Sequence, residues 1–114
     1  MQDRVLVVCD DLFFWARISG TASALGRTVV RITGEPAMEQ AWREGGVRRI
    51  VADLSSTSVD VIGWASRWKA REAPPEIIGF VSHVDMETQE RARRAGFDAV
   101  LPNSRFSQKL AELL

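Results

Sequence analysis

The sequence predicts a single α/β domain in which a five-stranded parallel sheet is covered by helices on both faces. Three observations predict it. Short apolar runs recur at 4–9, 28–32, 50–54, 77–81 and 99–101, mostly without alternation, as strands buried on both faces do. Each is followed by a stretch of helical period, and the connections are short, so successive strands are crossed over by helices and run parallel. At 114 residues, 46% hydrophobic and 26% charged, the chain is long enough for one proper core and too short for two.

The first run, Arg4 to Cys9, is rich in valine and leucine and stops at Asp10-Asp11, which offers an N-cap and a negative charge to the next helix. Phe14, Ile18, Ala22 and Leu25 recur at helical spacing there, and Gly26 fits the position just past the end. Phe13 and Trp15 cannot both lie on that stripe, which leaves one of them partly exposed. Thr28 to Ile32 is the second strand, and Arg31 marks it as an edge. Gly34-Glu35-Pro36 opens a second helix, with Ala37 and Ala41, joined by Met38 and Trp42, as its candidate inner face and Gly45-Gly46 as its end.

Arg48 and Arg49 precede the third strand, Ile50 to Leu54. Ser55-Ser56-Thr57-Ser58 is then a capping turn, with Ser58 the expected N-cap of a helix beginning at Val59. Val61, Ala65 and Trp68 share one face of it, with Trp64 alongside, and Pro74-Pro75 prevents continuation. Ile77 to Val81 is the fourth strand. Asp85 caps a fourth helix in which Glu87/Arg91 and Glu90/Arg94 are i,i+4 pairs, each worth about 0.2–0.5 kcal/mol. Gly96 closes it, Ala99 to Leu101 is the fifth strand, and Phe106, Leu110 and Leu113 or Leu114 line a final amphipathic helix.

Charge excludes some functions. Lys+Arg and Asp+Glu number 15 each, so no global field draws the protein to nucleic acid or a membrane. The Arg91, Arg93, Arg94 cluster lacks a second basic patch or interleaved aromatics and reads as a solvated helix end. Cys9 is the single cysteine and can form no internal disulfide. No signal peptide or spanning run is visible, and the expected location is the cytoplasm.

Five strand–helix repeats suit the flavodoxin-like order 2-1-3-4-5. Sites in such sheets lie beyond the carboxyl ends of the strands at the switch point, where strands one and three meet. That topology places Asp10 and Asp53 at one edge.

In this setting the chain resembles the receiver domain of bacterial two-component response regulators. Val-Val-Cys-Asp-Asp (7–11) is similar to the family's strand ending in paired acids, and Ile-Val-Ala-Asp-Leu (50–54) to the strand carrying the phosphorylated aspartate. Val81-Ser82-His83 and the run Ala95 to Ser104 have the spacing of the family's Thr-Ala segment, its Ala-Gly helix end and its Lys-Pro pair. The resemblance implies Asp53 as phosphoacceptor and Mg²⁺ held by Asp10, Asp53 and the carbonyl of Ser55. Cys9 falls where the other acid is usual, with Asp11 as a substitute by a one-position shift. Phosphoryl transfer to a carboxylate gathers negative charge, which a hard cation, a hydroxyl and a lysine offset.

The departures bear on the switch. The hydroxyl position falls on Val81 and the lysine on Asn103, whereas Ser82 is adjacent but on the opposite side of a regular strand. His83 is a candidate cover over the pocket. The leading expectation is a stand-alone, degenerate receiver-like signalling domain, not an enzyme, that acts through protein contacts or a homodimer. Its expected partner face is the fourth helix, fifth strand and fifth helix, with Arg91, Arg94, Phe97 and Phe106. The alternatives are a working Mg²⁺-dependent phosphoacceptor using Asp53 and, in a different class, a small α/β phosphoester enzyme. The last lacks a paired base, a glycine-rich phosphate loop and a histidine set for metal.

Overall fold

The computed structural model describes residues 3–114. Its strands are β1 (Arg4–Val8), β2 (Val29–Ile32), β3 (Val47–Asp53), β4 (Glu76–Val81) and β5 (Ala99–Pro102). Between and after them lie α1 (Leu12–Ala24), α2 (Glu35–Glu44), α3 (Val61–Lys69), α4 (Met86–Ala95), α5 (Asn103–Gln108) and α6 (Leu110–Leu113). All strand pairs are parallel, in the order β2-β1-β3-β4-β5. The fold is the flavodoxin-like sandwich that the repeats predict.

The sheet separates two apolar clusters, because alternate residues of a strand point to opposite faces. On one face Leu6, Val8, Ile50 and Ala52 meet Met38 and Trp42 of α2, Trp64 and Trp68 of α3, and Ala92 of α4. On the other, Val5, Val7, Val51 and Phe80 meet Ile18 and Ala22 of α1 with Phe106 and Leu110. The rings of Phe80 and Phe106 stack with centroids 4.0 Å apart, which anchors α5 to the middle of the sheet.

Several local expectations change. The third strand starts at Val47, so Arg48 and Arg49 lie within it, their guanidinium groups donating to the carbonyls of Leu114 and Leu113. Ala37 is exposed, and Leu25 is the C-cap of α1 rather than part of its buried stripe. The final helix breaks at Lys109 into α5 and α6. Of the two i,i+4 pairs on α4, Glu90–Arg94 closes at 3.1 Å and Glu87–Arg91 does not. Among the described residues no helix is long and apolar enough to cross a membrane.

Candidate functional site

The carboxyl ends of β1, β3 and β4 bring the sequence's candidates to one edge. Val8 pairs with Ala52, so Cys9 and Asp53 come next together and Asp10 stands one residue beyond. Asp53 in turn pairs with Phe80, and the last pair of β4 and β5 is Val81 with Pro102, just before Asn103.

Asp53 is the one buried charged residue among those described, at 6% exposure. A buried carboxylate is costly unless its oxygens find donors. Its Oδ1 accepts from the Ser55 amide at 2.9 Å and the Ser55 hydroxyl at 2.6 Å. Its Oδ2 accepts no hydrogen bond from the described residues.

Asp10 reaches across to the loop after β3. Its Oδ2 accepts from Ser56 Oγ at 3.0 Å, Thr57 N at 3.0 Å and Ser58 N at 3.3 Å. Its Oδ1 accepts from Ser58 Oγ at 2.5 Å. Partial burial works to raise the Asp10 carboxyl, but the hydrogen bonds from Ser58, Ser56 and Thr57 outweigh it and hold the group below its ordinary value. Asp11 takes a separate task. Its carboxylate caps α1 by accepting from the amides of Phe13 at 2.7 Å and Phe14 at 3.1 Å.

Cys9 is buried between these acids. Burial pushes its thiol up to about 11, and the charge of Asp53 adds to the effect. The thiol therefore keeps its proton at neutral pH and donates to the Asp11 carbonyl at 3.4 Å. Arg31 braces the same turn from the edge strand. Its guanidinium donates to the carbonyls of Cys9 and Asp10 at 3.1 and 3.2 Å while lying 5.6 Å from the Trp15 ring centroid.

The positions expected to form the switch carry no comparable polar chemistry. Val81 is buried in the apolar cluster that includes Leu54 and Trp64. Ser82 Oγ accepts from the Val84 amide at 3.4 Å, closing a local turn. His83 is exposed; its carbonyl accepts from the Gln89 side chain, and its imidazole bonds none of the described acids. Asn103 opens α5 with its side chain bonded to no described residue.

Mg²⁺ needs near-octahedral oxygen ligands, and the donor set here does not fit that need. Cys9 is a protonated thiol, Asp11 is committed to the helix, and Asp10 and Asp53 already accept donors from the loop. Among the described residues no three of His, Cys, Asp or Glu gather into a group that could hold a metal ion.

Two expectations are corrected. Phe97 and Phe106 were expected on a partner face, yet they are 6% and 0% exposed. Phe97 packs on Trp68 and over Gly79, where the missing side chain leaves room, and Phe106 stacks on the ring of Phe80. Arg91 and Arg94 do remain exposed. Ser58 does not cap α3; Asp60 does, accepting from the Gly63 amide at 3.1 Å, because Ser58 is taken by Asp10. The partners of Asp10 and the brace from Arg31 were missed. A run of four hydroxyl residues, one residue past an acid-ended strand, was the available signal. A cleft of about 510 Å³ lies at the opposite, amino edge of the strands, lined by Arg4, Arg27, Arg48 and Val30, and has no part in this site.

Comparison with solved structures places this geometry. NtrX of Brucella abortus superposes with a TM-score of 0.79 at 18% identity over 96% of this chain, which spans 25% of NtrX. A response regulator signal receiver domain of Bermanella marisrubri gives 0.78 at 18% identity, with 99% of this chain and 98% of that one covered. The beryllofluoride-activated NtrC4 receiver domain dimer gives 0.78 at 20% identity, covering 97% and 95%. No family model matches the chain, and no curated protein matches it significantly. The chain has the fold of response regulator receiver domains.

Proposed function

We propose that this chain is a receiver-like signalling domain that acts through protein–protein contacts and is not switched by phosphorylation of Asp53. The observation that carries the reading is the burial of Val81 in the apolar core at the position where the resemblance calls for a hydroxyl. A phosphoryl group on Asp53 would bring about two negative charges into a nearly closed edge. Offsetting it takes a cation, a hydroxyl and an ammonium group. Val81 has no donor, Asn103 has no charge, and Cys9 replaces an acid with a protonated thiol. A signal that cannot be clamped cannot be transmitted.

Output then rests on shape and surface charge. The surface of α4 and α5 presents Arg93, Arg94 and Arg105 to solvent, with Glu87 and Glu90 early on α4, while Arg91 lines a cleft with the β3–α3 loop and α3. Such a face suits an acidic protein partner or a second copy of the chain, with charge setting register and rate of encounter. A receiver domain of the same fold, NtrC4, is described as a dimer when activated by beryllofluoride, and the homodimer is the form proposed here for the same face.

The test is exposure to Mg²⁺ with beryllofluoride, followed by tryptophan fluorescence and amide NMR shifts. The expected result is no change at the acid edge or at α4. A saturable change that Asp53→Asn abolishes would make Asp53 a working phosphoacceptor and overturn the reading.

A further inference from the structure

We infer that the Ser55–Ser58 loop is a built-in replacement for a divalent cation, latching β1 to the β3–α3 connection with donors from the chain itself. The acids at this edge need positive charge or hydrogen-bond donors to lie side by side, since two carboxylates without either repel one another. A cation would supply that from outside. Here the loop supplies it from inside, through the Ser55 amide and hydroxyl on Asp53 at 2.9 and 2.6 Å. The hydroxyls of Ser56 and Ser58 and the amides of Thr57 and Ser58 do the same for Asp10.

The distribution of these bonds is what gives the latch its meaning. Asp10 Oδ2 accepts from three donors and Oδ1 from a fourth, which uses the lone-pair capacity of a carboxylate almost fully. Ser56 and Ser58 also lie 3.3 Å apart through their hydroxyl oxygens, so the two donors support one another. A cation at Asp10 would have to strip these bonds and unfold the loop around them. The remaining set offers little in return: Cys9 is a protonated thiol, Asp11 caps α1, and Asp53 Oδ2 is the one oxygen of Asp10 and Asp53 that accepts no hydrogen bond from the described residues.

The consequence reaches α3. Val59 is buried directly after the latch, and Asp60 then caps the helix while its amide donates to Glu35 on α2 at 2.9 Å. The loop is thereby tied at both ends, and its conformation is the same whether or not a divalent cation is present. Ser56 and Ser58 are positioning residues: they hold Asp10 and, through it, the register of the β1 end against the loop.

Amide hydrogen exchange of the intact protein, resolved at Thr57 and Ser58, reads the latch directly. Both amides are expected to be protected in the presence of a chelator, and millimolar Mg²⁺ is expected to change neither their exchange nor the melting temperature. Ser58→Ala should speed exchange at Thr57 by about tenfold, the equivalent of one charge-assisted hydrogen bond. Asp10→Asn should do so more strongly, and the milder Ser58→Ala keeps the test usable should Asp10→Asn fold poorly. Unprotected Thr57 and Ser58 amides in the unmodified protein would overturn the inference. So would a saturable rise in melting temperature with Mg²⁺ that Asp10→Asn removes. Failure of the latch leaves the substitutions at Val81 and Asn103 untouched, so this inference and the functional reading fail separately.

Discussion

Asp10 shows how far one residue's role depends on its neighbours. Its carboxyl is held below the ordinary value of 3.8, with burial opposing and the loop donors prevailing. A group depressed on folding contributes stability above its unfolded value and loses it as pH falls through the folded value. Urea stability should therefore decline as pH drops below that ordinary value, and Asp10→Asn should flatten part of the decline, as parallel titrations would show. At neutral pH, Ser58→Ala should cost about 1.5 kcal/mol in the same assay, since the hydrogen bond it removes ends on a charged oxygen. Trp68 tests a different point. Its indole Nε1 is buried with no partner, while its rings fill the space between Trp64 and Phe97. Trp68→Ala should cost about 3–5 kcal/mol, as a large buried ring is lost. Trp68→Phe should cost distinctly less, because it keeps one ring and discards the unpaired donor.

At the level of elements, β4 is shaped by what crosses it. A Cβ at Gly79 would lie 3.0 Å from Leu54 Cδ1 and from Phe97 Cδ2. Gly79 is therefore the gap in the strand into which Phe97 and Leu54 settle, and Gly79→Ala should destabilise by about 1–3 kcal/mol through overpacking, measurable by urea unfolding. The same turn that delivers Phe97 also delivers Asp98. Its carboxylate accepts from Lys69 Nζ of α3 and the Ile77 amide of β4, each at 2.7 Å. One side chain thus ties a helix end to the start of a strand. The α2–α3 pair is joined in a similar way, by Trp64 Nε1 donating to Glu35 at 2.7 Å and Arg67 donating to both Glu39 oxygens.

Across the whole molecule the charges balance, yet their placement is uneven. Acids gather at the carboxyl edge of the sheet, while Arg93 and Arg94 of α4 and Arg105 of α5 stand exposed, and Arg91 lines a cleft with the β3–α3 loop and α3. Reversing Arg91 and Arg94 to Glu breaks the Glu90–Arg94 pair and sets two like-charge i,i+4 pairs on exposed α4, so the stability should fall by only about 1 kcal/mol. Self-association or partner capture through that face should weaken and lose its salt dependence, which sedimentation at two ionic strengths would reveal. An unchanged association would move the interface elsewhere. Leu12 and Phe13, 71% and 67% exposed at the start of α1, and Val84 and Met86, before and at the start of α4, supply apolar surface beyond the carboxyl ends of β1 and β4.

The strand order, both covered faces and the carboxyl-edge position of Asp10 and Asp53 were legible in the sequence. They follow from local periodicity and from the handedness of parallel crossovers, which need no knowledge of distant partners. That Val81 and Asn103 stand where the resemblance expects a hydroxyl and a lysine is a reading of residue type at counted positions, made from the sequence alone. Other features belong to the tertiary structure alone. Whether Phe97 and Phe106 lie on a face or in the core depends on the space left at Gly79 and on the ring that Phe80 offers on the other side of the sheet. Whether Ser58 caps a helix or binds Asp10 depends on a competition between a neighbour two residues away and a carboxylate 48 residues away. Local sequence supplies the donors, and only the closed sheet decides which acceptor they meet.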